Sequence, residues 1–202
     1  MPRENFINFS DLCVLWFPLE DRKKLPPVGW LNSQILKLVH AQSWLLFDEQ
    51  LLIRGGITIG PLTRSYGQIF GPGLVRAYEL ESKQATYPRI LVDECVIKEL
   101  YRNPRLCVHD PKTDAGYLKA MLQKDTDGKL FVDYLRVAAG ELDDPAVYPR
   151  YMAKLRDFID ERLKEFAKVE RVREKYEWLS RYHDKTLRGM RIPSATHHPK
   201  KT

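Results

Sequence analysis

The sequence predicts an α+β fold built as one domain with a helical appendage. Three observations carry this: segments with an apolar period of two alternate with segments of period near 3.6 along most of the chain; 44% of the 202 residues are hydrophobic, with eight Phe, ten Tyr and four Trp to fill a core; and Val147 to Asp184 is one sustained amphipathic pattern. The longest uncharged apolar runs fall well short of the ~20 residues a membrane span needs, and the opening MPRENFIN lacks a signal-peptide pattern. Cys13, Cys95 and Cys107 are odd in number and widely spaced, as expected of reduced, structural thiols in a cytoplasmic protein. The net charge of +6 is concentrated after Asp184, where no acidic residue follows; 185–202 is expected to be a basic, disordered tail rather than a nucleic-acid interface.

In chain order, Asn5 to Phe17 alternates and then becomes continuously apolar, as a strand or hairpin entering a buried sheet does. Pro18 to Gly29 is a loop. Leu31, Ile35, Leu38, Val39, Leu45 and Leu46 recur at helical spacing over 31–48, with Asn32 and Ser33 available as caps. Leu51 to Leu62 (LLIRGGITIGPL) is a β-type run punctuated by Gly55, Gly56 and Gly60. Thr63 to Gln68 is a turn, Leu74 to Gln84 a short helix, Arg89 to Val92 a strand and Glu94 to Arg102 a helix. Pro104 and Pro111 bound an irregular patch, after which Tyr117 to Gln123 and Lys129 to Leu135 flank Asp125-Thr126-Asp127-Gly128 as a hairpin. Val147 to Asp184 is one long amphipathic helix or two in succession. The expected division is therefore an α+β body over 1–140, a helical extension over 141–184, and the tail.

Two charged residues stand out against this frame. Asp11 lies in an apolar strand, where an ionised carboxylate needs a metal, an arginine or strong hydrogen bonds, so it either caps a tight turn or holds a cation. Arg54 sits at the mouth of the glycine-rich strand, and a guanidinium beside backbone without Cβ atoms suits phosphate oxygens; its alternative is a surface salt bridge. Arg76, Tyr78 and Glu79 read equally well as a solvated face of the helix around Leu74, Ala77 and Leu80. Asp125 to Gly128 lacks the ligand pattern of a calcium loop, and His40, His109 and His183 are too scattered for a metal set or a catalytic triad.

Ile53 to Gly60 (IRGGITIG) followed by Gly71 to Ser82 (GPGLVRAYELES) resembles the catalytic domain of class III nucleotide cyclases, the second block matching at Gly71, Ala77, Leu80 and Ser82. Phe9-Ser10-Asp11 before an apolar strand looks like that family's hairpin with its second metal aspartate. Within the family the chain is most similar to the Pycsar pyrimidine cyclases of bacterial anti-phage defence. The resemblance implies a ferredoxin-like mixed sheet packed by helices, and a homodimer converting a pyrimidine nucleoside triphosphate to a 3',5'-cyclic nucleotide and pyrophosphate with Mg2+ or Mn2+, the product acting on an effector protein. It implies Asp11 as a metal ligand, Arg54 and Tyr78 as substrate contacts, and Arg76 and Glu79 as catalytic residues. Three departures accompany it: the strand with the first metal aspartate is expected upstream of Met1, Val75 and Glu79 stand at the family's Asn and Arg, and Pro72 replaces an aspartate. Arg76 either takes the place of the missing arginine or faces solvent. The alternative function is a cyclase-like scaffold that binds a nucleotide or a protein without turnover.

Overall fold

A computed structural model of the protein describes residues 5–9, 12–19 and 29–190. Asp11 and residues 191–202 lie outside the described residues. The order of elements is α+β, as expected, and the central sheet is mixed.

Strands β1 (Asn5–Phe9) and β2 (Leu12–Trp16) form an antiparallel hairpin with Phe6 opposite Leu15 and Ile7 opposite Val14. Phe6 and Leu15, paired on one face, are exposed. Phe17 then meets Trp30 edge to face, with ring centroids 6.1 Å apart, at the start of helix α1 (Trp30–Phe47). This helix buries Leu31, Ile35, Val39 and Leu46, the stripe its period predicts. Its N-cap is Gly29 rather than Asn32 or Ser33; Asn32 is already helical and buried, and its amide donates to the Asp114 carbonyl at 3.4 Å.

The glycine-rich run pairs only over β3 (Gly55–Ile57). Where a turn was expected, β4 (Thr63–Ser65) and β5 (Gln68–Phe70) form a small hairpin, and helix α2 (Pro72–Glu79) follows, widening into one π-helical turn over Leu80–Gln84. Next come β6 (Ile90–Val92) and α3 (Glu94–Arg102). Helix α4 (Pro111–Ala120) corrects the expectation of an irregular patch running into a strand at Tyr117: Asp110 caps it, accepting from the Lys112 and Thr113 amides at 2.9 and 3.1 Å, with Pro111 in the first turn. The predicted hairpin is present as β7 (Leu122–Lys124) and β8 (Leu130–Val132), and a short helix α5 (Tyr134–Ala138) follows. The terminal pattern is two helices, α6 (Val147–Glu165) and α7 (Glu170–Met190). Residues 185–190, expected in the tail, are therefore helical, because Thr186 is buried and continues the apolar face of α7.

The central sheet has the order β3-β6-β8-β7, parallel between β3 and β6 and antiparallel elsewhere. Helix α1 packs on α4, α5, α6 and β8, while α2 lies along β3. One buried core joins β6, β8, α1, α4, α5, α6 and α7. Among the described residues no helix is long and apolar enough to cross a membrane.

Candidate functional site

Helix α2 lies against β3 so closely that a Cβ on Gly56 would stand 2.4 Å from the Leu80 Cβ and 2.6 Å from the Ala77 carbonyl oxygen. The space that the missing side chain leaves is filled by the helix. A second close approach, 2.9 Å from a Cβ on Gly60 to the Gly73 Cα, seats the start of α2 over the end of the strand segment. The two sequence blocks thus form one interlocked unit, with the helix running back along the strand.

That interlock brings Arg76 of α2 to the carboxyl end of the parallel pair β3 and β6, where ligands of open α/β sheets commonly bind. There the Arg76 Nε donates to the Asp93 Oδ2 at 2.6 Å, and the Thr58 hydroxyl donates to the same oxygen at 3.3 Å. The Thr58 hydroxyl also lies 3.3 Å from the Cys95 sulfur, whose thiol donates to the Ile59 carbonyl at 3.8 Å. Asp93 is set in place by its own amide, which donates to the Ile57 carbonyl at 2.9 Å. Burial pushes the Asp93 carboxyl up, but Arg76 outweighs it by hydrogen bond and charge, aided by the Cys95 amide and the Thr58 hydroxyl, and the pKa falls below its ordinary 3.8. Reciprocally, the hydrogen bond to Asp93 raises Arg76. The side chain of Arg76 stays 42% exposed, so it remains within reach of an anion from solvent.

Of the residues singled out in sequence, only Arg76 joins this cluster. Glu79 pairs with Lys83 at 3.2 Å across one turn of helix, and Tyr78 is exposed, its carbonyl taking the Ser82 hydroxyl at 2.7 Å. Arg54 lies at the opposite, amino end of β3, where its Nε meets Glu81 Oε1 at 2.7 Å. With ~3.3 Å of rise per residue, the strand separates Arg54 from Thr58 by more than 10 Å. Asp11 lies outside the described residues.

Thr58 and Asp93 were not singled out in the sequence, and Cys95 was named there only as a structural thiol. The available signal was the position of Asp93, directly between the apolar strand Arg89 to Val92 and the following helix, which marks the carboxyl end of a buried strand.

The donors at this strand end do not fit the magnesium or manganese that the resemblance implies. The single carboxylate is already held by a guanidinium, and its neighbours are a hydroxyl and a thiol, whereas a hard divalent cation takes several oxygen ligands. No group of three or more His, Cys, Asp and Glu able to hold a metal ion occurs among the described residues.

No family model, curated protein or solved structure matches the chain.

Proposed function

We infer that this chain is a cyclase-like nucleotide-binding protein that receives the phosphates of a nucleoside triphosphate, a pyrimidine one by the family resemblance, against Arg76 at the carboxyl end of β3 and β6. The observation that carries it is the partly exposed Arg76 side chain, held by Asp93 at 2.6 Å on a helix that packs closely against the sheet at Gly56. Binding without turnover is the function this arrangement supports best, because Arg76 and Asp93 stand together while Glu79 pairs outward and Arg54 sits at the other strand end.

The order of glycine strand, hairpin arm, helix and strand favours a second reading, in which two copies of the chain make a 3',5'-cyclic nucleotide, with Asp11 supplying the metal site and an effector protein reading the product. Titration calorimetry of the full chain with CTP, UTP, ATP and GTP tests the first. Arg76→Lys, which keeps the charge but loses the planar fork, is expected to weaken binding about tenfold, a shift of ~1.4 kcal/mol. Undetectable binding of all four nucleotides would overturn it. Cyclic product formed with manganese and abolished in Asp11→Ala would establish turnover in its place.

A further inference from the structure

A cleft of about 280 Å³ lies between the segment leading into β3, the loop before β6 and helix α7, remote from the Arg76 strand end. Leu51, Leu52 and Pro88 are among its apolar lining residues, and Tyr87, Tyr176 and Thr86 line it as well. Two cations face it, Arg54 and Lys175.

The two cations are in different states. Arg54 is paired with Glu81 through Nε, while its side chain remains 40% exposed. Lys175 is half-buried on α7 and makes no ion pair with any described residue. An ammonium partly buried beside apolar and aromatic residues, with no carboxylate paired to it among the described residues, favours an anionic ligand, because it has lost part of its hydration. The guanidinium across the cleft adds planar donors suited to phosphate oxygens. Tyr87 stacks on Trp178 and Tyr176 on Phe166, and the two tyrosines offer what aromatic surface these contacts leave to the organic part of the same ligand. A volume near the lower end of the ~300–1,000 Å³ typical of ligand pockets limits that ligand to a small molecule.

We propose that this cleft is a binding site for a small aromatic phosphomonoester, with Lys175 and Arg54 holding the phosphate and Tyr87 and Tyr176 contacting the ring. The site is independent of the nucleotide reading at Arg76, which uses neither α7 nor Arg54. It also has a built-in reporter: Tyr87 stacks on Trp178 with ring centroids 5.8 Å apart and planes 6° from parallel, so ligand contact with Tyr87 alters the surroundings of the indole.

The test titrates the full chain with phenyl phosphate, inorganic phosphate and phenol, read by calorimetry and by tryptophan emission. Phenyl phosphate is expected to bind saturably and at least about tenfold more tightly than either fragment. Lys175→Ala and Arg54→Ala are each expected to weaken it about tenfold while leaving the thermal transition in place, since both residues line a surface cleft rather than the core. Arg76→Lys is expected to leave it unchanged, which separates this site from the strand-end site. No saturable binding of phenyl phosphate, or equal affinity in Lys175→Ala and the parent chain, would overturn the proposal. Loss of phenyl phosphate binding in Arg76→Lys with full retention in Lys175→Ala would do the same, by assigning the anion to the other end of β3.

Discussion

Gly56 and Gly116 show how one residue type serves opposite ends within one chain. At Gly56 an added methyl group would meet the Leu80 Cβ at 2.4 Å and the Ala77 carbonyl oxygen at 2.6 Å, neither of which is a flexible side-chain tip. Gly56→Ala is therefore expected to lower stability by at least the ~1–3 kcal/mol typical of overpacking, and to weaken the nucleotide binding proposed at Arg76 because α2 must lift off β3. Gly116 lies inside α4 with open space around its Cα, so Gly116→Ala is expected to raise stability by roughly 0.5–1 kcal/mol through helix propensity. Urea unfolding of both variants checks the pair, and a destabilised Gly116→Ala or an unperturbed Gly56→Ala would contradict it. The sequence carried half of this information. Glycines in a β-type run announced a close approach, but not whether a ligand or the chain's own helix makes it. Likewise Arg76 was legible as a candidate, whereas its partner Asp93 lies 17 residues further along the chain, just after β6, and only the parallel pairing of β3 with β6 brings the two together.

At the scale of elements, expectation and structure part where a residue type has two meanings. Pro111 was read as a breaker, yet after Asp110 it opens α4, because its missing amide is one that a first helical turn leaves unpaired anyway. The turn joining β4 and β5 uses Tyr66 and Gly67, both with positive φ (50° and 78°), the geometry of a tight hairpin, but Tyr-Gly lacks the Asn-Gly signature that announces one. The long terminal pattern left open whether one helix or two were present, since Phe166 to Val169 keeps the apolar spacing through the break. The pairing of α6 and α7 carries a pH response of its own. His183 of α7 is buried, with Nε2 2.9 Å from the Met152 carbonyl and Nδ1 2.9 Å from the Arg156 Nη2, so the ring fits as the neutral tautomer that donates to the carbonyl and accepts from the guanidinium. Desolvation lowers its pKa from the ordinary 6.5 and Arg156 lowers it further, against the opposing pull of the Met152 carbonyl and of Asp184 at 3.4 Å. A folded-state pKa below the unfolded one means that the unfolded chain takes up the proton first. The stabilisation is thus full above the unfolded value and is lost as pH falls through it towards the folded value. Thermal melts are expected to show a downward step in Tm on acidification below about pH 6.5 that is smaller in His183→Gln. An identical step in both proteins would remove His183 as its source.

Across the whole molecule, the α6–α7 pair belongs to the core of the α+β body. Trp178 and Tyr182 of α7 meet Phe131 of β8 edge to face at 5.6 and 5.3 Å, and Leu179 between them is fully buried. The polar contacts bind the same surfaces together. The Tyr182 hydroxyl donates to Asp133 Oδ1 at 2.8 Å and accepts from the Leu135 amide at 2.9 Å, and the Trp178 indole donates to Asp125 Oδ2 at 2.7 Å. Asp125 and Asp127, in the turn between β7 and β8, hold Arg89, whose side chain is 1% exposed at the entrance to β6. A buried guanidinium depends on its carboxylates, and these are positioned in part by Trp178, so α7 supports the charge balance under the sheet as well as its apolar packing. Removing α6 and α7 would uncover Phe131 and Leu135 and withdraw the indole from Asp125. A chain ending at Ala146 is therefore expected to lack a cooperative thermal transition and near-ultraviolet circular dichroism, because its loss exceeds the marginal stability of a domain this size, about 5–15 kcal/mol. A helical appendage on a self-sufficient body would give the opposite result, a truncated protein that melts cooperatively near the parent Tm. Calorimetric melting of the two chains distinguishes the cases. Because Lys175 lies on α7 three residues before Trp178, the phosphomonoester cleft exists only where that helix is docked, so ligand occupancy is expected to raise the Tm of the full chain.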